Sequence, residues 1–220
     1  MNKLSPFSAL LLIILFFIAN TFAQSKFEGK IQIKYDAEDT KGNMIYLVKG
    51  EKIRLDFKTE DKDEEMSMIM DPANKKALML MPSQKMFMEY PFDATSEETK
   101  EKMDESFGKI KMTGETKEIN GYNCQKILVT NEDNTAEIWA TKDLGNFMNF
   151  FNNQMGESKN PEWLPEFMRE GFFPMLGIQK NESGEEEYRW EVTKIEKQSL
   201  SSDLFVPPAD FKKMDIPGMK

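Results

Sequence analysis

The chain has 220 residues, with 29 Lys and Arg against 38 Asp and Glu, which gives a formal net charge of −9. A surface this acidic repels phosphate backbones, so we expect no electrostatic binding of nucleic acid. The sequence has no His and one Cys, so it lacks the usual general base, the usual metal ligand and an internal disulfide. It also lacks the nucleotide-binding and serine-nucleophile motifs. The composition favours a non-catalytic protein with no cofactor.

The N-terminal segment predicts export. Residues 1–23 contain one Lys, an apolar run over residues 9–19 and a small-x-small pattern that ends at Ala23. This is the pattern of a secretory signal peptide, and the run is short of the ~20 residues that a membrane span needs. We expect cleavage near Ala23 and a periplasmic or extracellular mature chain, residues 24–220, that forms one domain without a transmembrane segment. A retained signal anchor is the alternative.

The first half of the mature chain alternates apolar and polar residues with the period of a β-strand. Residues 27–35 predict a half-buried antiparallel strand, and residues 44–48 and 53–57 predict two more. The side chains of the first strand that should face inward are Phe27, Ile31, Ile33 and Tyr35.

The stretch from Met66 to Tyr90 predicts three further strands, joined by turns at residues 71–74 and 82–84. Successive side chains of a strand point to opposite faces, so each strand places its methionines on one face. Methionine is flexible and polarisable, and it suits a surface that must fit irregular apolar partners. The residues predicted to line this patch are Met66, Met68, Met70, Met79, Met81, Met86 and Met88.

The middle strand of this stretch is apolar on both faces. Met79 and Met81 share one face, and Leu78 and Leu80 share the other. A strand that is buried on both faces needs cover on both. We therefore expect a packing element, or an enclosed cavity, on the second face.

The second half of the chain changes to the period of a helix. Residues 144–155 predict one helix, and residues after Asn160-Pro161 predict a second that ends at Gly171. A third short helix is expected over residues 93–107, and a solvated loop is the alternative. We expect helices to cover the doubly apolar strands and to complete a ligand site. The aromatic residues predicted for that site are Phe147, Phe151, Trp163 and Phe167.

The remaining segments return to strands. Hairpins are expected over residues 122–140 and 175–195, and a polar strand over residues 109–119. The tail, residues 204–211, is apolar and broken by prolines, so we expect it to pack as an edge segment. Cys124 is expected to be a buried small hydrophobe, and a reactive thiol is the alternative.

Several short motifs, taken in order, resemble the DUF4412 family of exported bacterial proteins. They are FEGKI at 27–31, VKGEKIR at 48–54, MIMD at 68–71, GYNC at 121–124 and EIWAT at 137–141. That family is similar in architecture to lipoprotein carriers of the LolA type. The resemblance implies an α+β fold, in which a curved antiparallel sheet, or half-barrel, is covered by a few short helices. It implies no catalytic residues.

These observations support several hypotheses of function. The first is an envelope protein that binds an apolar ligand, such as a lipid, an acyl chain or a lipidated segment, between the sheet and its helices. The second is a sensor or docking module for an envelope protein, with a filled core. Less favoured are Cu(I) binding by the Met-x-Met pairs, because thioethers are soft ligands, and an enzyme that uses carboxylates alone.

Overall fold

The computed structural model describes residues 27–37, 40–60, 65–91, 109–130, 134–145 and 171–214. These residues form one twelve-stranded sheet, antiparallel except for a short parallel pair at one edge. The strands are β1 Gly29–Ala37, β2 Thr40–Lys49, β3 Lys52–Thr59, β4 Glu65–Asp71, β5 Lys76–Met81, β6 Met86–Pro91, β7 Lys109–Ile119, β8 Tyr122–Thr130, β9 Asn134–Thr141, β10 Phe173–Asn181, β11 Glu186–Lys197 and β12 Lys212–Lys213.

The sheet joins two antiparallel meanders. Its order is β12-β6-β5-β4-β3-β2-β1-β11-β10-β9-β8-β7, so neighbours in sequence are neighbours in space within β1–β6 and within β7–β11. The two meanders meet where β1 pairs with β11, from Gly29↔Lys197 to Ala37↔Tyr188. The tail returns to the far edge, where β12 pairs with β6.

Two matching turns connect the methionine strands. Pro72 and Pro82 each begin a single turn of 3₁₀-helix, where the fixed φ of proline suits the first position. Each turn ends at a lysine in the left-handed region, Lys75 at φ 49° and Lys85 at φ 51°, whose N–H donates to the carbonyl of that proline. These tight turns fix the register of β4 with β5 and of β5 with β6.

The main core lies on one side of the sheet, here called the front face. The ring of Tyr46 on β2 lies 6.2 Å from the ring of Phe173 on β10 and 6.5 Å from that of Trp190 on β11. Three inter-strand steps separate β2 from β10, which is about 14 Å in a flat sheet. The sheet therefore curves toward its front face, which confirms the predicted curvature.

A second core lies on the back face, behind β2–β6. It contains Leu47, Ile69, Leu78 and Leu80, here called the leucine face, packed against residues of the tail, Leu200, Leu204, Phe205 and Phe211. The predicted cover on the second face is thus present. It is supplied by the C-terminal tail, which crosses the leucine face before β12 joins the edge of the sheet.

The predicted fold class is wrong in one respect. Within the described ranges no α-helix occurs, and the helical residues are three short 3₁₀ segments, Pro72–Asn74, Pro82–Gln84 and Ser202–Phe205. The α+β class with covering helices is therefore replaced by a nearly all-β curved sheet. The described start of the predicted helix at Leu144 is not helical. Thr141 is the last residue of β9, and Asp143 and Leu144 form a turn. Residues 93–107 and 146–170 lie outside the described residues.

The strand predictions were largely correct. Ile31 and Ile33 are almost fully buried, and Tyr188, Trp190 and Val192 all contribute to the front core. Strands extend past the predicted ends, since β2 begins at Thr40 and β10 begins at Phe173. The polar segment at 109–119 is β7, which lies at the edge opposite β12.

Candidate functional site

The sheet brings the predicted methionines onto one surface. Directly paired residues in an antiparallel ladder point to the same side, and Met68, Met79 and Met88 are paired in a row across β4, β5 and β6. Leu55 of the front core continues this row on β3. Met81 pairs with Met86, Met70 pairs with Ile53, and Met66 pairs with Phe57. All seven methionines therefore lie on the front face and are here called the methionine face.

Exposure rises across the methionine face toward the sheet edge. Met68 and Met70 on β4 are 2% and 1% exposed and belong to the front core. On β5 and β6 the methionines are only half buried, and Met66 at the start of β4 is 40% exposed. The inner methionines therefore fill the core, whereas the outer ones present thioethers at a surface. Those outer residues are Met66, Met79, Met81, Met86 and Met88.

Tyr90 adds a polar group at the border of this surface. Its hydroxyl lies 3.3 Å from Sδ of Met88 and donates a hydrogen bond to it. A thioether is a weak acceptor, so this contact mainly orients the Met88 side chain. Tyr90 pairs with Ala77, whose small side chain leaves the half-buried ring beside the methionine row.

The opposite side of the same strands is closed. The guanidinium of Arg54 donates to the carbonyl of Leu204 at 3.0 Å, to Oδ1 of Asp56 at 2.7 Å and to Oγ of Ser67 at 3.3 Å. Ser67 in turn donates to Oδ1 of Asp56 at 2.6 Å. This network joins β3 and β4 to the 3₁₀ segment of the tail, so the tail is held by polar contacts as well as by apolar packing.

The beginning of the tail has its own anchor. The N–H of Leu200 donates to Oε1 of Glu28 at 2.9 Å, and Ser199 donates to the same oxygen. Lys49 also donates to Glu28 and to the carbonyl of Leu200. The Leu200 N–H and then Lys49 hold the pKa of Glu28 below its ordinary value. The carboxylate form is thus the one that binds the tail.

Two grooves formed by described residues are polar and lie away from the methionine face. A groove of about 350 Å³ lies between the β1–β2 and β10–β11 hairpins, and its lining includes Asp36, Lys41, Glu185 and Tyr188. A second of about 290 Å³ adjoins it and includes Glu60 and other charged residues. Neither includes a methionine of the methionine face. Among the residues the structure describes, no cluster of three His, Cys, Asp or Glu could hold a metal ion.

The sequence missed an apolar extension at the far edge of the front face. Ile110 and Met112 on β7 are 38% and 50% exposed, and they pair with the core residues Val129 and Ile127. Their i, i+2 spacing was the available signal, but the surrounding charges hid it. The predicted aromatic site residues, Phe147, Phe151, Trp163 and Phe167, lie outside the described residues.

Cys124 is buried, as predicted. It is 0% exposed and is a free cysteine of the front core. Burial raises the pKa of its thiol to about 11. At neutral pH the protonated thiol, a poor nucleophile, is the dominant form, so Cys124 is a packing residue.

One of three similar solved structures supports the fold. An uncharacterised conserved protein from Thermus thermophilus aligns with a TM-score of 0.51 and 9% identity, over 87% of this chain and 93% of that chain. The MucA/MucB complex of Pseudomonas aeruginosa aligns at 0.46 with 11% identity, over 86% of this chain but only 58% of that chain. A putative outer membrane lipoprotein-sorting protein domain from Vibrio parahaemolyticus aligns at 0.24 with 8% identity, over 89% and 95%. Of these three, the Thermus protein alone exceeds 0.5 and indicates a shared fold.

Sequence comparison identifies the family. No curated protein sequence matches the chain. Within the described ranges no helix is long and apolar enough to cross a membrane. The model of the DUF4412 family, a domain of unknown function, matches residues 27–211. Because this match covers most of the chain, as the motifs predicted, the protein belongs to the DUF4412 family.

Proposed function

We propose that this protein is an exported, non-catalytic binding protein that holds an apolar ligand, such as a lipid, an acyl chain or a lipidated segment, on its methionine face. The observation that carries the proposal is the half-burial of Met79, Met81, Met86 and Met88. These side chains continue rows of the front core out to the edge of a sheet that curves toward them. A curved apolar wall of this kind can take up an elongated apolar molecule.

The alternative, that these residues simply fill a core, is less well supported on this face. In a filled core the apolar side chains are almost fully buried. The leucine face is an example, because Ile69 and Leu80 are 0% and 2% exposed beneath the tail. The outer methionines keep a partial solvent exposure that apolar side chains lose in a completed core. Methionine also adapts its shape to a partner at little cost.

The sequence supports a place in the cell envelope. Residues 1–23 have the pattern of a secretory signal peptide, and the net charge of −9 disfavours nucleic acids and anionic lipid surfaces. We infer that the ligand is recognised through apolar contacts.

Native mass spectrometry of the mature protein tests the proposal. The protein is purified without detergent from a bacterial periplasm and then extracted with organic solvent. We expect a co-purifying lipid or fatty acid that is lost in the Met79→Asp variant, because a carboxylate on an apolar wall must be desolvated. A matched control is Met112→Asp, which places the same charge on β7 at the other end of the sheet.

Titration with cis-parinaric acid, a naturally fluorescent fatty acid, tests binding without relying on the host cell to supply the ligand. Saturable binding that Met79→Asp abolishes and Met112→Asp retains supports the methionine face as the site. Absence of binding to the folded wild-type protein, together with a clean apo mass, contradicts the proposal and favours a docking surface for an envelope protein.

A further inference from the structure

Among contacts between described residues, Met88 is the methionine of this face that has a polar partner. Its sulfur accepts a hydrogen bond from the Tyr90 hydroxyl at 3.3 Å, and both side chains are half buried near the sheet edge. Met88 ends the row that begins at Leu55 and passes through Met68 and Met79. The Met88 side chain is thus partly exposed and lies at the outer edge of the proposed ligand surface.

Oxidation changes this thioether in a defined way. One sulfur lone pair attacks a peroxide oxygen, the O–O bond breaks, and the oxygen is transferred to sulfur while the peroxide is reduced to water. The product is a sulfoxide, which is polar and a far better hydrogen-bond acceptor than a thioether. At Met88 a donor is already in place, because the Tyr90 hydroxyl faces the sulfur. The sulfoxide oxygen at this position is therefore satisfied by the protein.

The burial pattern separates the oxidisable methionines from those that maintain the fold. Met68, Met70 and Met175 are at most 2% exposed and belong to the front core, so peroxide cannot reach them in the folded state. Met88 is half buried on β6, one strand beyond Met79, which packs against that core. A sulfoxide there makes the ligand surface polar while the core and the leucine face stay intact.

We propose that Met88 is a reversible oxidation site, and that its conversion to the sulfoxide, accommodated by Tyr90, releases the apolar ligand without unfolding the protein. This inference rests on the proposed function. It adds regulation of ligand binding by peroxide. Methionine sulfoxide reductases would reverse this regulation by reducing the sulfoxide to the thioether.

The test treats the mature protein with hydrogen peroxide and follows each methionine by peptide mass spectrometry, with circular dichroism as the measure of folding. We expect Met88 to be oxidised while Met68, Met70 and Met175 are protected. Affinity for cis-parinaric acid should fall by about tenfold or more, because a sulfoxide is costly to desolvate against a hydrocarbon chain. After the same treatment, the Met88→Leu variant should lose a smaller share of its own untreated affinity than the wild type loses, and a methionine sulfoxide reductase should restore the wild type. Met112→Leu is the matched control, since Met112 is 50% exposed but lies on β7.

Two outcomes would overturn the inference: a Met88 that stays reduced while other exposed methionines are oxidised, or equal loss of affinity in Met88→Leu and wild type. The role of Tyr90 has a separate readout. In Tyr90→Phe the melting temperature should fall further on oxidation than in the wild type, and an equal fall would remove Tyr90 from the proposal. If the reduced protein binds no fatty acid at all, the proposed function fails, whereas the mass spectra still report on the oxidation site.

Discussion

The two faces of β4–β6 contrast in how they are completed. The leucine face is covered by the C-terminal tail, and its central residues are almost fully buried. The methionine face, built from alternate residues of the same strands, is buried at Met68 and Met70 on β4, 40% exposed at Met66, and half buried on β5 and β6. Both faces are apolar, so hydrophobicity does not distinguish them.

Polar anchoring distinguishes the two faces. The leucine face carries Arg54, Asp56 and Ser67, which bind one another and the carbonyl of Leu204. Between described residues, the methionine face has one side-chain hydrogen bond to a methionine, from Tyr90 to Met88. A chain segment needs directional contacts to be held in one position, whereas a loosely specified apolar ligand does not. The leucine face is therefore built for a fixed intramolecular partner.

The largest expected effect comes from removing the tail's main apolar contact. Phe205 is 3% exposed and packs into the leucine-face core. Phe205→Ala should lower the free energy of unfolding by about 3–5 kcal/mol through lost burial and a cavity. Chemical denaturation measures this loss, with Val206→Ala as the neighbouring control at a 47% exposed position. Equal effects of the two substitutions would show that the tail is not an integral part of the core.

The next effect concerns the polar anchor. Arg54→Ala should cost roughly 1.5–3 kcal/mol of unfolding free energy, because it removes charge-assisted hydrogen bonds to Leu204, Ser67 and Asp56. Hydrogen exchange should show faster exchange of amides in residues 200–205, while those of β8 and β9 stay protected. Arg54→Lys keeps the charge without the forked geometry and should be intermediate. Uniform acceleration across both meanders would contradict a local anchor.

A smaller effect should appear as a pH dependence. Burial raises the pKa of Asp71, but hydrogen bonds from Lys52 and Asn74 outweigh it and hold the pKa below its ordinary value. A folded pKa below the unfolded one means that Asp71 stabilises the protein above about pH 4, and that this contribution is lost as the pH falls through the folded pKa. Unfolding free energies of wild type and Asp71→Asn should therefore converge in acid. A constant difference between them at all pH values would contradict this linkage.

The smallest effect is expected on the methionine face. Met88→Leu keeps the apolar volume at a half-buried position, so the unfolding free energy should change by less than about 1.5 kcal/mol. Affinity for an apolar ligand should also be retained. Thermal and chemical denaturation check the first point, and cis-parinaric acid titration checks the second. A large destabilisation would mean that Met88 is a core residue and would weaken the contrast between the faces.

The sequence predicted the strands and the methionine face more reliably than the element that covers the other face of the sheet. Alternation predicted β1, β3 and the hairpins, and it placed all seven methionines on one face, because side-chain direction along a strand is a local property. It also showed that β5 needed cover on both faces. The nature of that cover was predicted wrongly, because helical periodicity in residues 144–155 and 160–171 was more conspicuous than the proline-broken tail.

Local sequence patterns were sufficient to predict the sheet-forming segments, the two turns that begin at Pro72 and Pro82, the burial of Cys124 and the family. Tertiary structure decided that β1 joins β11 and so unites two meanders, since pairing across more than 150 residues leaves no local signature. It also decided that the tail covers the leucine face and leaves the outer methionines half exposed. The physical reason is that apolar patterns show that a surface must be buried, whereas only the path of the whole chain determines what buries it.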